Sequence, residues 1–153
     1  MKLNLGCGKK LLEGFMNIDI QNPCDLLHDL RFPLPYENSS VEEVYSANFI
    51  HTFSRKDWRE LKKEMIRVLK SGGKLELILH DFDYILSHFL SNDEEKWDWW
   101  LQTIYGAQFN EYDYIKNGFT YEKLKAHLHE EGMINFEEDT SNPEYIHLIS
   151  YKQ

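Results

Sequence analysis

Gly6-Cys7-Gly8 closes a short apolar run near the start of this 153-residue chain, and a second such run ends on Asp19. Glycine at the first place lets a ligand come close to the backbone, because a side chain would hold it off. A carboxylate at the tip of the second strand can accept two hydrogen bonds from ribose hydroxyls. The pair outlines a nucleotide-type cofactor site. Groups with chemistry recur where later apolar runs end: His28-Asp29-Leu30, Ala47-Asn48 and His80-Asp81. Asp29 is placed to accept a hydrogen bond from an adenine amino group. His51, His80 and Asp81 lie near strand ends, where a general base could reach a hydroxyl or a protonated amine. Capping the following helix or bonding a loop amide is the structural alternative for each. His127 and His129 stand two apart on a helix and point in different directions, and Cys7 and Cys24 stand alone, so no metal site is expected.

The elements that must position these groups can be read from hydrophobic periodicity. Apolar runs bounded by turn residues predict about seven strands, near 2–6, 15–19, 25–28, 41–46, 74–80, 134–139 and 145–151. Trp58, Leu61, Met65, Val68 and Leu69 predict a helix capped by Ser54, with Gly72-Gly73 as its left-handed stop. A second helical region, 83–105, pauses at Ser91-Asn92-Asp93, and a third helix runs from a Thr120 cap to Gly132. In an open, mostly parallel α/β sheet, ligands bind beyond the carboxyl ends of the strands, where strand order reverses. All the candidate groups would then face one crevice. The first strands follow one another too closely for full helices between them, since a parallel crossover usually takes a dozen or more residues. Leu3 and Leu5, or Leu75, Leu77 and Leu79, point one way while Lys2, Asn4, Lys74 and Glu76 point the other. A polar sheet face lacking its helical layer suggests a homodimer that covers it, with Lys74 and Glu76 pairing across the interface, or else a monomer whose short crossovers and aromatic side chains shield that face.

Composition narrows the partners. With 42% hydrophobic residues the chain can bury one core, removing roughly 70% of its unfolded surface from water, and a single domain over 1–153 is expected. Seventeen basic residues against 26 acidic ones leave a formal charge of −9, which argues against nucleic acid and against membrane surfaces as main partners. The chain starts without an apolar leader and has no run long enough to span a bilayer, so a cytoplasmic location is expected. A dinucleotide fingerprint would need glycine at Leu11 and a helix N-terminus for the pyrophosphate, and the sequence offers neither. S-adenosylmethionine carries a sulfonium cation and no phosphate, and it tolerates an acidic protein.

The stretches LNLGCG, NIDI, HDLRFPLP, SSVEEVYSANFIHTF, EMIRVLKSGGKLELILHDF and GFTYEKLKAHLHEEGM together resemble a compact class I S-adenosylmethionine-dependent methyltransferase. The likeness is greatest to the short bacterial and phage-type enzymes often associated with polysaccharide genes. The resemblance implies a Rossmann-like sheet with reduced helices between its first strands. It further implies that Gly6, Cys7 and Gly8 flank the methionyl moiety and that Asp19, with Ile20 beside it, holds the ribose. Asp29 and Leu30 would meet the adenine, and Ala47 and Asn48 would close the pocket. The activity implied is O- or N-methylation of a small molecule or glycan. The aromatic residues of the region near 83–118, KWDWW with Tyr105, Tyr112 and Tyr114, read either as core anchors, with Trp97, Trp100 and Leu101 holding a helix, or as a lid or insert that sets acceptor specificity. His51-Thr52, His80-Asp81 and Ile115 stand where such enzymes often have Glu-His, Pro-Asp and His. The alternative is therefore a catalytically silent module that binds or assembles.

Overall fold

The computed structural model describes residues 1–90 and 94–153, so the predicted pause at Ser91-Asn92-Asp93 lies outside the described residues. Strands β1 (Lys2–Leu5), β2 (Met16–Asp19), β3 (Leu26–Leu27) and β4 (Val41–Ala47) come first. Then follow α1 (Arg55–Val68), β5 (Leu69–His80), α2 (Phe82–Phe89), α3 (Trp97–Tyr105), α4 (Tyr121–His129), β6 (Met133–Glu138) and β7 (Tyr145–Lys152). The sheet order is β3-β2-β1-β4-β5-β7-β6. The first five strands run parallel, and β7 lies antiparallel to both its neighbours. Strand order reverses between β1 and β4, which puts the topological switch point at the glycine turn.

Leu3, Leu5, Ile18, Val44, Leu75, Leu77 and Leu79 form the apolar face and are buried. Trp58, Leu61 and Met65 of α1 and Leu124 and Leu128 of α4 join them in one core. Ser54 Oγ accepts from the Asp57 N–H and starts α1, as its sequence predicts. Its end differs. The helix stops at Val68, and Leu69 is already extended and paired with Val41, so Gly72-Gly73 is not its stop. Gly72 has φ +73° and turns a bulge inside β5, where three extra residues separate the pairs Val41–Leu69 and Glu43–Lys74. The same residues that end a helix also bend a strand.

The polar face is satisfied within the chain. Asn4 Nδ2 donates to Asn17 Oδ1 (2.8 Å) and to the Lys10 carbonyl (2.9 Å), while the Leu12 N–H donates to Asn17 Oδ1 (2.8 Å). The turn after β1 thus folds back over the sheet where a helix would lie. An ionic ladder crosses the strands from Lys2 to Glu43 (2.7 Å), Lys74 (2.6 Å), Glu76 (2.9 Å) and His147 (2.8 Å). Burial works against the Lys74 charge, but hydrogen bonds to Glu43 and Glu76 prevail and raise its pKa to about 12. Lys74 and Glu76 therefore pair inside one chain, so this face does not need a second copy to neutralise it.

Candidate cofactor cleft

The cleft is built where β1, β2, β3 and β4 end. After Leu5 the chain turns through Gly6 and Gly8, both at positive φ (+65° and +51°). The N–H groups of Gly6 and Cys7 both donate to the Ile18 carbonyl, which ties the turn to β2. A Cβ on Gly6 would stand 2.0 Å from the Phe49 ring, whereas one on Gly8 would meet nothing within 4 Å. Glycine is thus required at the first position by packing, and at the second it leaves the cleft floor open. Asp19 ends β2. Its Oδ2 accepts from the Gly8 N–H (2.8 Å) and its Oδ1 from the Gln21 N–H (3.0 Å). A carboxylate has about four lone-pair sites, so each oxygen retains capacity for a ribose hydroxyl.

Beyond β3, the Arg31 guanidinium grips Asp29 with Nε–Oδ1 2.9 Å and Nη2–Oδ2 2.6 Å, and the Arg31 N–H adds a bond of 3.0 Å. These hydrogen bonds hold the Asp29 carboxyl below the usual carboxylate range. Sequence reading gives Asp29 to an adenine; the structure shows that Arg31 is its partner within the chain. Asn48 follows β4 with φ +50°, and its N–H donates to the Ile78 carbonyl (2.7 Å). Phe49 and Phe53 stack edge to face at 5.0 Å behind it.

These groups enclose a cleft of about 240 Å³. Of the residues expected at the cofactor, Gly6, Gly8, Asp19 and Ile20 line it on one side, with Asp29, Leu30 and Asn48 on another. Cys7 and Ala47 do not line it. The Cys7 side chain turns inward and is buried, and burial, followed by the Asp19 charge, lifts its thiol pKa to about 11. The wall also takes in residues that sequence reading missed as site residues: Arg31, Thr52, Phe53, Asp57, Asp113 and Lys116. Asp57 stands three residues after the Ser54 cap, and its Oδ2 accepts from Ser54 Oγ (2.7 Å). Arg31 follows β3 and Thr52 and Phe53 follow β4, while Asp113 and Lys116 arrive through tertiary folding of the segment before α4.

The acid and base candidates fall elsewhere. None of His51, His80 and Asp81 lines the cleft. Asp81 caps α2, accepting from the Asp83 N–H at 2.9 Å. The His51 ring is buried, with its pKa pushed down to about 4 by burial and then by His80, while its carbonyl accepts from the N–H groups of Lys116 and Asn117. The His80 ring lies 4.5 Å from Tyr145 and 5.9 Å from Trp99, and burial lowers its pKa too. Of the KWDWW residues, Trp100 is buried, whereas Trp97 and Trp99 are 46% and 41% exposed, so only one of the three anchors α3 fully. Among the described residues, no group of three or more His, Cys, Asp or Glu could hold a metal ion, and no helix is long and apolar enough to cross a membrane.

Residues 15–77 match the methyltransferase domain family. A SAM-dependent methyltransferase from Thermotoga maritima superposes with a TM-score of 0.67 at 15% identity, over 99% of this chain and 82% of that one. The chain has the class I methyltransferase fold. Human N-acetylserotonin methyltransferase, solved in complex with SAM, superposes with a TM-score of 0.63 at 14% identity, over 99% of this chain and 47% of that one. A tRNA (guanine-N(7)-)-methyltransferase of Campylobacter fetus is 33% identical over 106 residues, which is 63% of this chain. The chain spans only 23% of the length of that enzyme. S-adenosylmethionine is the cofactor of the domain family, and the residues present fit it. No helix follows β1 to neutralise a pyrophosphate, the floor at Gly8 is open, and four carboxylates against two fixed cations suit a sulfonium.

Proposed function

We propose that this cleft binds S-adenosylmethionine and that the chain transfers its methyl group to oxygen or nitrogen of a small molecule or glycan. The observation that carries the reading is Asp19, held at the tip of β2 by the glycine turn with lone pairs to spare. Gly8 would admit the methionyl portion close to the backbone, and Leu30 and Phe53 would give the adenine an apolar seat. The cofactor, when bound, supplies an activated methyl group on a cationic sulfur. What remains for the chain is to align the acceptor and exclude water. Asp57 and Asp113 are the carboxylates of the wall that could take a proton from the acceptor. His51 would serve by position, holding residues 116 and 117 through its carbonyl.

The segment before α4 is proposed as a lid, since Tyr112, Asp113 and Lys116 contribute to the cleft wall. The formal charge of −9 supports a small acceptor over a polyanion. Calorimetric titration with S-adenosylhomocysteine tests the proposal. Saturable one-to-one binding supports it, and no heat at cofactor concentrations far above those of ordinary methyltransferase sites contradicts it.

A further inference from the structure

A second concavity, of about 750 Å³, lies between α1, α4 and the segment that joins the lid to α4. Six cations line it, Arg55, Arg59, Lys62, Lys63, Lys116 and Lys123, against two carboxylates, Glu130 and Glu131. This is an inversion of local charge in a chain whose net charge is −9. Helical spacing produces it: Arg55, Arg59, Lys62 and Lys63 follow one another along one side of α1, and Lys123 faces them from the first turn of α4. Part of the charge is already spent. Lys62 bridges the helices through Glu131 (3.0 Å) and the His127 carbonyl (2.9 Å), and Lys63 pairs with Glu60 at 3.6 Å. Arg55, Arg59, Lys116 and Lys123 have no ion pair among the described residues. The wall also contains Trp58 and His127, whose Nε1 and Nδ1 are buried without a hydrogen-bond partner.

Lys116 lines both this groove and the cofactor cleft, so the two spaces meet at one side chain. We propose that the groove holds the phosphate of the methyl acceptor, which is a small phosphate or diphosphate ester whose reacting atom reaches the cleft past Lys116. The assignment rests on the methyltransferase reading of the cleft. Unpaired guanidinium and ammonium groups converging on one concavity are the chemistry that recognises phosphate oxygens. The volume is in the range of small-molecule sites. A nucleic acid would need basic surface well beyond the groove, and the rest of this acidic chain would repel it.

Inorganic pyrophosphate and S-adenosylhomocysteine are titrated separately into the full chain and into Arg59→Glu, Lys123→Glu and Lys125→Glu. Lys125 is the control: it lies on α4 but over Tyr121 and Phe136, outside the groove. Saturable pyrophosphate binding that weakens about 10- to 100-fold in the two groove variants is expected, with the control near wild type and S-adenosylhomocysteine binding unchanged throughout. Retained S-adenosylhomocysteine binding also shows that the variants are folded, and Arg59→Gln and Lys123→Gln repeat the test without charge reversal. Absent pyrophosphate binding, or equal weakening by the control, overturns the groove assignment while the methyltransferase reading stands. Pyrophosphate binding without S-adenosylhomocysteine binding overturns the methyltransferase reading, and the acceptor role falls with it. A short oligoribonucleotide bound more tightly than pyrophosphate, and lost in the same variants, overturns the small ester in favour of nucleic acid.

Discussion

The backbone N–H of Gly8 donates to Oδ2 of Asp19 across 2.8 Å, so the glycine turn itself orients the carboxylate at the neighbouring strand tip. Removing that carboxylate leaves the turn tied to β2 through the Ile18 carbonyl, which accepts from Gly6 and Cys7. Asp19→Ala is therefore expected to fold normally and to weaken S-adenosylhomocysteine binding about 10- to 100-fold, the worth of hydrogen bonds to a charged acceptor. Calorimetry on the folded variant checks it. Unchanged affinity would take Asp19 out of the site.

The two glycines of the turn should respond unequally to a methyl group. Gly6→Ala meets both a positive φ and the Phe49 ring, and is expected to cost about 2–5 kcal/mol. Gly8→Ala meets only the positive φ, an expected cost of about 1–2 kcal/mol. Urea denaturation of both variants measures the gap. Equal losses would mean that Phe49 does not pack beneath Gly6.

Burial gives the fold a pH dependence through His51. Its pKa is about 4 in the folded chain against an ordinary 6.5, so within that window the unfolded chain binds a proton that the folded chain refuses. Stability is then complete above the ordinary value and is lost as pH falls toward 4, by about 3 kcal/mol from this group. His80 shifts in the same direction. Denaturation midpoints should fall from neutral pH down to about 4, and less steeply in His51→Gln. Parallel pH profiles for the two proteins would remove His51 as the cause.

Cofactor binding should slow amide exchange in the lid. Ile115 donates to the Tyr105 carbonyl, and Lys116 and Asn117 to that of His51, so the segment's far end is already anchored. Its cleft-facing part, Tyr112 and Asp113, should gain protection when S-adenosylhomocysteine is added. Hydrogen exchange that is the same with and without ligand from residue 106 to 117 would contradict the lid.

Much of the site was legible because a parallel sheet gathers its strand ends on one edge. Alternation that marks Leu3 with Leu5 and Leu75 with Leu77 and Leu79 leads one to expect the groups after each run in one crevice, although His80 and Asp81 after β5 stay out of it. Gly6, Gly8, Asp19 and Asn48 do share it. Gly72 misled because a left-handed glycine has the same local chemistry in a helix stop and in a strand bulge. Only the pairing of Leu69 with Val41 decides between them. Lys74 and Glu76 read as surface charges awaiting a partner because their true partners, Glu43 and His147, lie on other strands. Asp113 and Lys116 reach the cleft through the fold of an irregular segment, for which no periodicity speaks. The exclusion of His51 from the cleft likewise depends on the direction of a single short turn, Ile50–Thr52.

Amide chemical-shift mapping of the 18.3 kDa chain during titration with S-adenosylhomocysteine tests the cofactor assignment most directly, because it reports binding and its place together. The expected result is saturable shifts at Gly6, Gly8, Asp19, Gln21, Leu30 and Asn48, with Arg59 and Lys123 in the basic groove unmoved. Shifts confined to the groove, or a spectrum unchanged at saturating ligand, would contradict it.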